Sequence, residues 1–337
     1  MKICIVSEFF NPIYGGQYSA VKGLVDICKF KKIEHIVIHK NSKICDDKTG
    51  IEKLISKYDI IHIFGGWTPF YIKLSLLSYK LKKKIIVQPM GFYEPWSLNQ
   101  KKIKKRLAWF LYQRKFLRQA DLVHCASQKE EHNIKKLDEK IKTTILPFGI
   151  NKKDINKNYL KKVKNKCIFF SRLHKQKGLD ILIEAWTEIN NPNWKLDIIG
   201  FGNQKCYKDI INHKKSNIKF LQPVSNTSKK NKLFDKYDFL VLPTTSENFG
   251  LVILEALGRG LPVLTTNETP WIDIQNKNAG WIINYSVTEL KLVLNQIFDT
   301  KNKEFFVKKK NAIKIANNFS KEKLSNQYFK IYKSLSP

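Results

Sequence analysis

Two glutamates eight residues apart, and two cations five residues apart, carry most of the chemistry legible in this chain. Glu247 and Glu255 lie in Leu242-Pro243-Thr244-Thr245-Ser246-Glu247-Asn248-Phe249-Gly250-Leu251-Val252-Ile253-Leu254-Glu255-Ala256. The apolar run 239–243 predicts a strand, a polar turn follows, and an apolar helix begins near Gly250. N–H groups at such a helix start favour anions, and glycine lets a ligand approach the main chain. Glu247 stands just before the helix, where its carboxylate can accept hydrogen bonds. Glu255 sits between Leu254 and Ala256, where a carboxylate needs a partner because burying it alone is costly. Sugar or ribose hydroxyls are suitable donors to both. Taken singly, Glu247 also reads as a helix cap and Glu255 as an exposed helix residue.

The cations lie in Phe169-Phe170-Ser171-Arg172-Leu173-His174-Lys175-Gln176-Lys177-Gly178-Leu179. A strand ends, Arg172 and Lys177 follow in the loop, and Gly178 precedes an amphipathic helix (Ile181, Leu182, Ala185, Trp186, Ile189). Cations at a strand end beside a helix start suit a diphosphate and can stabilise the charge that builds on it as a leaving group. Lys175 reads as solvated surface. A weaker signal is Ile198-Ile199-Gly200-Phe201-Gly202-Asn203, where Gly200 and Gly202 let the chain turn beneath a ligand. No P-loop pattern, no Gly-x-Ser-x-Gly turn and no Asp-x-Asp pair occurs. His35 and His39 lie in a β-rich run without a nearby carboxylate cluster and read as structural.

These residues need a scaffold that gathers strand ends, and the hydrophobic pattern supplies one. Short apolar runs at 2–9, 35–39, 60–64, 84–88, 122–126 and 144–147 alternate with helical stretches. A second series restarts at 166–171 and continues at 195–199, 218–220, 239–243, 262–265 and 281–283. Continuous apolar strands alternating with helices predict parallel sheets covered on both faces. The polar, lysine-rich stretch Asn151–Lys166 reads as the connection between the two series. The fold class expected is α/β, two doubly wound domains that meet at a cleft lined by strand C-termini.

At 337 residues the chain is long enough for two domains, and 43% hydrophobic with 27% charged residues is a soluble globular balance. Six scattered cysteines without a Cys-x-x-Cys pair read as reduced thiols, which favours the cytosol. The first apolar run is too short for a signal-peptide core, and no stretch reaches the length of a spanning helix. The net charge of +32 is almost entirely lysine, with arginine only at 106, 114, 118, 172 and 259. It reads either as a solvated coat or as a basic face for an anionic partner. The arginines are the better clues, because a planar guanidinium is not interchangeable with an ammonium.

The Glu-x7-Glu element (Glu247, Glu255), the Ser-Arg-Leu-x3-Lys-Gly element (Ser171 to Gly178) and the loop Gly15-Gly16 together resemble glycosyltransferase family 4, retaining enzymes of the GT-B fold. Gly260-Leu261-Pro262-Val263, Thr269-Pro270-Trp271 and Met90-Gly91-Phe92-Tyr93-Glu94-Pro95-Trp96 look like members that build bacterial polysaccharide and lipopolysaccharide. The resemblance implies an N-terminal Rossmann-like acceptor domain over 1–155, with the terminal helix 319–335 packing back on it. It implies a nucleotide-sugar donor domain over 160–318. Arg172 and Lys177 would hold the donor diphosphate with no metal and no cofactor. Glu255 would bind the ribose and Glu247 face the transferred sugar. Main-chain groups of Gly15, Gly16 and Asn248 to Leu251, through Phe249 and Gly250, would contact sugar or phosphates, with Gly200 and Gly202 in the same site. Transfer would keep the anomeric configuration, by same-face attack assisted by the leaving phosphate. The partners implied are a UDP-sugar, or next a GDP-sugar, and a glycan or lipid-linked acceptor. Many members carry a histidine at the strand end before Met90-Gly91; this chain has Met90 there, so Met90, Gly91 and His62 stand as candidate sugar contacts. His62 reads equally as a satisfied core histidine.

The segment Lys101–Arg118 sets Ile103, Leu107, Phe110, Leu111 and Leu117 on one helical face among many cations. The expected placement packs that face on the sheet and leaves the cations in water. The basic face would then suit a peripheral contact with anionic membrane on the cytoplasmic side. A nucleic-acid-binding protein is the alternative the charge suggests, but the lysines are dispersed and no nucleic-acid motif occurs. An epimerase-type enzyme on the same fold would show no acceptor requirement. A phosphorylase would need a pyridoxal-phosphate lysine, and no convincing one is found.

Overall fold

Strand residues with no exposure on either face, such as Ile3 to Val6, form only where helices cover both sides of a sheet. The computed structural model describes residues 1–156, 163–189, 191–202 and 217–336. In it the chain divides into two compact units, Met1–Gly149 with Lys321–Pro337, and Ile150–Ser320. The strands of the first are β1 (Lys2–Ser7), β2 (Glu34–His39), β3 (Ile60–Phe64), β4 (Lys84–Gln88), β5 (Leu122–Cys125) and β6 (Thr143–Ile145). Those of the second are β7 (Lys166–Phe170), β8 (Lys195–Ile199), β9 (Ile218–Leu221), β10 (Phe239–Leu242), β11 (Val263–Thr266) and β12 (Gly280–Ile283). The sheet orders are β2-β1-β3-β4-β5-β6 and β12-β11-β10-β7-β8-β9, with every pairing parallel. Each order reverses direction at one point, between β1 and β3 and between β7 and β10. Ligands of doubly wound sheets bind outside the strand C-termini at such points.

The polar stretch 151–166 is described at 151–156 and 163–166, and its first part is bound to the second unit. Arg259 donates to Asp154 O (2.9 Å) and to the Asp235 carboxylate (2.6 Å), and Asn156 N donates to Gly258 O (2.8 Å). Cys4, Cys28, Cys125 and Cys167 are buried free thiols and Cys45 is half-buried; Cys206 and Asn203 lie outside the described residues. Among the described residues, no helix is long and apolar enough to cross a membrane.

The helix Lys321–Leu335 returns to the first unit. Lys321 pairs with Asp26 at 2.6 Å, Tyr328 Oη donates to Pro147 O (3.2 Å), and Tyr332 Oη lies 2.6 Å from His62 Nδ1. His62 and His124 are both buried, their rings 5.6 Å apart. His124 Nε2–H donates to Leu146 O at 2.7 Å, which fixes its tautomer. Burial pushes the His124 imidazole down to about 4 and holds His62 well below its ordinary value, with His124 a lesser cause. An unfolded chain therefore takes up protons on these two rings below about pH 6.5, where the folded chain does not. Their contribution to stability is complete above that pH and is lost progressively as pH falls below it, by up to about 1.4 kcal/mol per unit for each ring that stays neutral in the fold. Urea unfolding at pH 7 and pH 5 should show this loss, and His124→Gln should reduce it. A loss unchanged in that variant would assign the acid sensitivity to other groups.

The segment Lys101–Arg118 departs from expectation. The helix Lys102–Ala108 runs through a π-turn at Trp109–Gln113 into Arg114–Gln119. Bonding i→i+5 fits one extra residue into a turn and sets back everything after it by about 100° relative to an α-helix. Phe116 and Leu117 are thereby turned into the core, and Gln113, buried, accepts from Tyr93 Oη at 2.7 Å. Ile103, Leu107, Phe110 and Leu111 are left in solvent instead of on the sheet.

Candidate functional site

Both charged elements of the sequence lie at the reversal point of the second sheet, one after β7 and the other after β10. Glycines bring their loops together. Gly178 (φ 67°) is left-handed, and a Cβ there would stand 1.8 Å from Pro243 O, at the end of β10. A Cβ on Gly200 would stand 1.8 Å from Ser171 O, and Leu173 bridges to Gly202. The Gly-x-Gly element therefore seats the Ser171–Leu173 loop against the β8 exit.

Gln176, which the sequence reading passed over, fastens the two loops. Its Nε2 donates to Ser246 O (3.0 Å), while its carbonyl accepts from Thr245 N and Thr244 Oγ1, each at 2.9 Å. Trp271 Nε1 donates to Phe249 O and so holds the turn before the helix Leu251–Gly258. The Phe249 ring is buried against Trp271 and Phe319, so Phe249 can offer a ligand only its main chain. Gly250 (φ 76°) starts the helix, and no side chain caps it.

Glu247 is thus no helix cap. Its Oε2 lies 2.7 Å from Lys177 Nζ, and both groups are largely enclosed. Glu255 is not a free surface residue either, since Lys230 Nζ is 2.5 Å from its Oε1. Lys230 also stands 6.0 Å from the centre of the Phe170 ring, at the end of β7. Lys230 comes from the helix Thr227–Phe234 and was not among the residues singled out, because lysine in a lysine-rich chain carries no signal. Two Lys–Glu pairs therefore bear on the β7 and β10 ends. Arg172 is exposed beside them and has no ion pair among the described residues. Of the other arginines, Arg114 and Arg118 pair with Asp138, and Arg259 with Asp235.

In the first unit, Gly15 (φ 56°) and Gly16 follow β1 at the other reversal point, and a Cβ on either would meet nothing within 4 Å. Gln17 Nε2 ties this loop to β1 and β3 through Ser7 Oγ (3.2 Å) and Phe64 O (3.2 Å). Met90 (φ 59°) and Gly91 (φ 78°) form a left-handed turn after β4. Glu130, a second residue the sequence reading missed, accepts from Gly91 N (2.8 Å) and Ala126 N (2.7 Å) and fixes that turn. His62 does not join these loops: its ring is fully enclosed in β3 against Tyr332, the core alternative.

Two parallel six-stranded sheets in these orders, with helices on both faces, define the GT-B fold class. The model of the family described as Glycosyl transferases group 1 matches residues 151–319, half of the chain. The chain belongs to that family. It is 28% identical over 298 residues to an "Uncharacterized 41.2 kDa protein in cps region" of Klebsiella pneumoniae, covering 83% of this chain and 80% of that one. It is 23% identical over 307 residues to the O-antigen biosynthesis glycosyltransferase WclY of Escherichia coli, covering 85% and 82%. Its fold is that of Anabaena HepE, solved in complex with UDP and glucose, with TM-score 0.77, 18% identity, and coverage of 99% and 100%.

Proposed function

We propose that this group 1 glycosyl transferase is a retaining, family 4 enzyme. In this reading it moves a sugar from a UDP-sugar, or failing that a GDP-sugar, to a glycan or lipid-linked acceptor of a bacterial surface polysaccharide or lipopolysaccharide. The observation that carries it is the Lys177–Glu247 pair at the reversal point, with Arg172 unpaired among the described residues beside it. An ammonium has three donors, so Lys177 can keep Glu247 and still take a phosphate oxygen. Arg172 supplies a planar fork for a second one. The bond from the sugar C1 to the diphosphate oxygen breaks, and Arg172 and Lys177 stabilise the charge left on that oxygen. The acceptor hydroxyl adds to C1 on the same face, and its proton passes to the departing phosphate oxygen. Glu247 orients the transferred sugar, Glu255 the ribose, and the 248–251 turn contributes main-chain N–H groups. The cations take the part a metal would play, so the proposed chemistry uses no metal and no cofactor. UDP bound by HepE supports the uridine nucleotide, and the cps-region and O-antigen relatives support the pathway class. A site at the inner face of the cell membrane suits a lipid-linked acceptor.

Thermal unfolding with UDP, GDP and dTDP tests the donor. At a hundred times its dissociation constant the right nucleotide should add about 2.7 kcal/mol. Glu255→Ala should weaken that shift. No shift with any of the three would remove the donor-site reading.

A further inference from the structure

Residues 9–21 hold no Asp, Glu, His, Lys or Arg, in a chain where 27% of the residues are charged. The stretch follows β1 at the reversal point of the first sheet, and it is rich in rings. Phe9 and Tyr14 stack with centroids 4.4 Å apart and planes 20° from parallel, and Phe10 lies 5.2 Å from Tyr18. Water reaches them. Ile13 is 56% and Tyr14 43% exposed, and Phe9, Phe10 and Tyr18 are half-buried. The loop that carries these rings is closed on itself. Asn11 Oδ1 accepts from Ile13 N (3.1 Å), Asn11 O from Tyr14 N (3.0 Å) and Pro12 O from Gly15 N (3.1 Å). Rings held this way in solvent make a preorganised apolar surface, where a single exposed side chain would need no explanation. Beside them there is room, since a Cβ on Gly15 or Gly16 would meet nothing within 4 Å.

We propose that this loop binds a neutral hexopyranose ring, laid against the Phe9–Tyr14 stack. One face of a pyranose is lined with C–H groups and buries apolar surface on a flat ring, while its hydroxyls stay at the rim. Those hydroxyls need polar partners. Glu8, next in the chain, supplies one: its Oε1 meets Lys40 Nζ at 3.2 Å, and its Oε2 has no partner among the described residues. The charge pattern decides the class of ligand. A phosphate or a uronate would find no cation in the loop, and Glu8 beside it would repel the charge. An acyl chain would leave the Glu8 carboxylate unanswered. In the transferase reading this ring is the end of the acceptor, which makes the acceptor a glycan and not a bare lipid phosphate. That last step rests on the transferase reading, whereas the sugar contact does not.

Saturation-transfer NMR on the full chain uses the methyl pyranosides of glucose, galactose, mannose, rhamnose, N-acetylglucosamine and N-acetylgalactosamine, with methyl glucuronide as the charged control. At least one neutral glycoside should take up saturation, most strongly on the C–H protons of one ring face. Tyr14→Ala should weaken that binding by about tenfold, the scale of one lost aromatic contact. Tyr14→Trp should retain it, and Tyr79→Ala, at an exposed ring elsewhere in the same unit, should leave it unchanged. Each variant should keep the unfolding temperature and the nucleotide-dependent shift. A retained shift with lost glycoside binding separates the sugar contact from the donor site. Glycoside binding without any nucleotide shift would uphold the sugar contact and remove its acceptor role. Saturation of none of the neutral glycosides, or undiminished binding by Tyr14→Ala, would overturn the proposal. So would stronger binding of methyl glucuronide, or a wild-type dimer that ignores glycosides and dissociates on Tyr14→Ala, which would make the loop an interface between copies.

Discussion

Lys177→Met is expected to lower kcat by about a hundred- to a thousandfold, the scale of losing one preorganised donor to a developing oxyanion. The expectation follows from placement. Lys177 is 7% exposed and held 2.7 Å from Glu247, in a loop that Gln176 and Gly178 lock against the end of β10. A charge fixed this way costs no reorganisation when the phosphate leaves. The same substitution strips Glu247 of its partner, so KM for the donor should rise as well. Steady-state transfer from the sugar nucleotide whose base the thermal screen selects gives both constants. If the folded variant keeps kcat within about threefold, Lys177 serves only the ion pair and the leaving-group role passes to Arg172.

Asp238→Ala is expected to cost about 3–5 kcal/mol of stability, as breaking a buried pair from one side does. Asp238 is fully buried at the start of β10. Its Oδ2 accepts from Lys164 N (2.8 Å) and Lys166 N (3.1 Å), and its Oδ1 faces the buried Lys309 Nζ at 3.3 Å. The carboxylate thereby joins the entry to β7, the start of β10 and the helix Asn302–Asn318. Its removal strands an ammonium and two N–H groups. Lys309→Met should cost less, because Asp238 keeps its two backbone donors. Urea unfolding should be followed with two probes, since a chain of two units need not unfold in one step. A loss below about 1 kcal/mol for Asp238→Ala would mean that water reaches the site and replaces the carboxylate.

The strands were legible because parallel strands covered on both faces are short, uninterrupted apolar runs, and each expected run became a strand with ends moved by a residue or two. Arg172, Lys177 and Glu247 were legible because each closely follows a strand, so local chain geometry carries them to the strand ends, and Glu255 because it is a carboxylate inside the apolar helix Leu251–Gly258. Their partners were not. Lys177 and Glu247 lie 70 residues apart, Lys230 and Glu255 lie 25 apart, and no local pattern says which lysine meets which carboxylate. The helix at 102–119 failed for another reason. A regular periodicity assumes one rotation per residue, and a single π-turn breaks that phase, sending Leu117 inward and Phe110 outward. The sequence by itself determined the elements, their alternation and the chemical types at the strand ends, because these depend on neighbours a few residues away. Only the tertiary structure decided which charges pair, where His62 is enclosed and which apolar face meets solvent. Those outcomes depend on packing between segments that the chain brings together only when the sheets form.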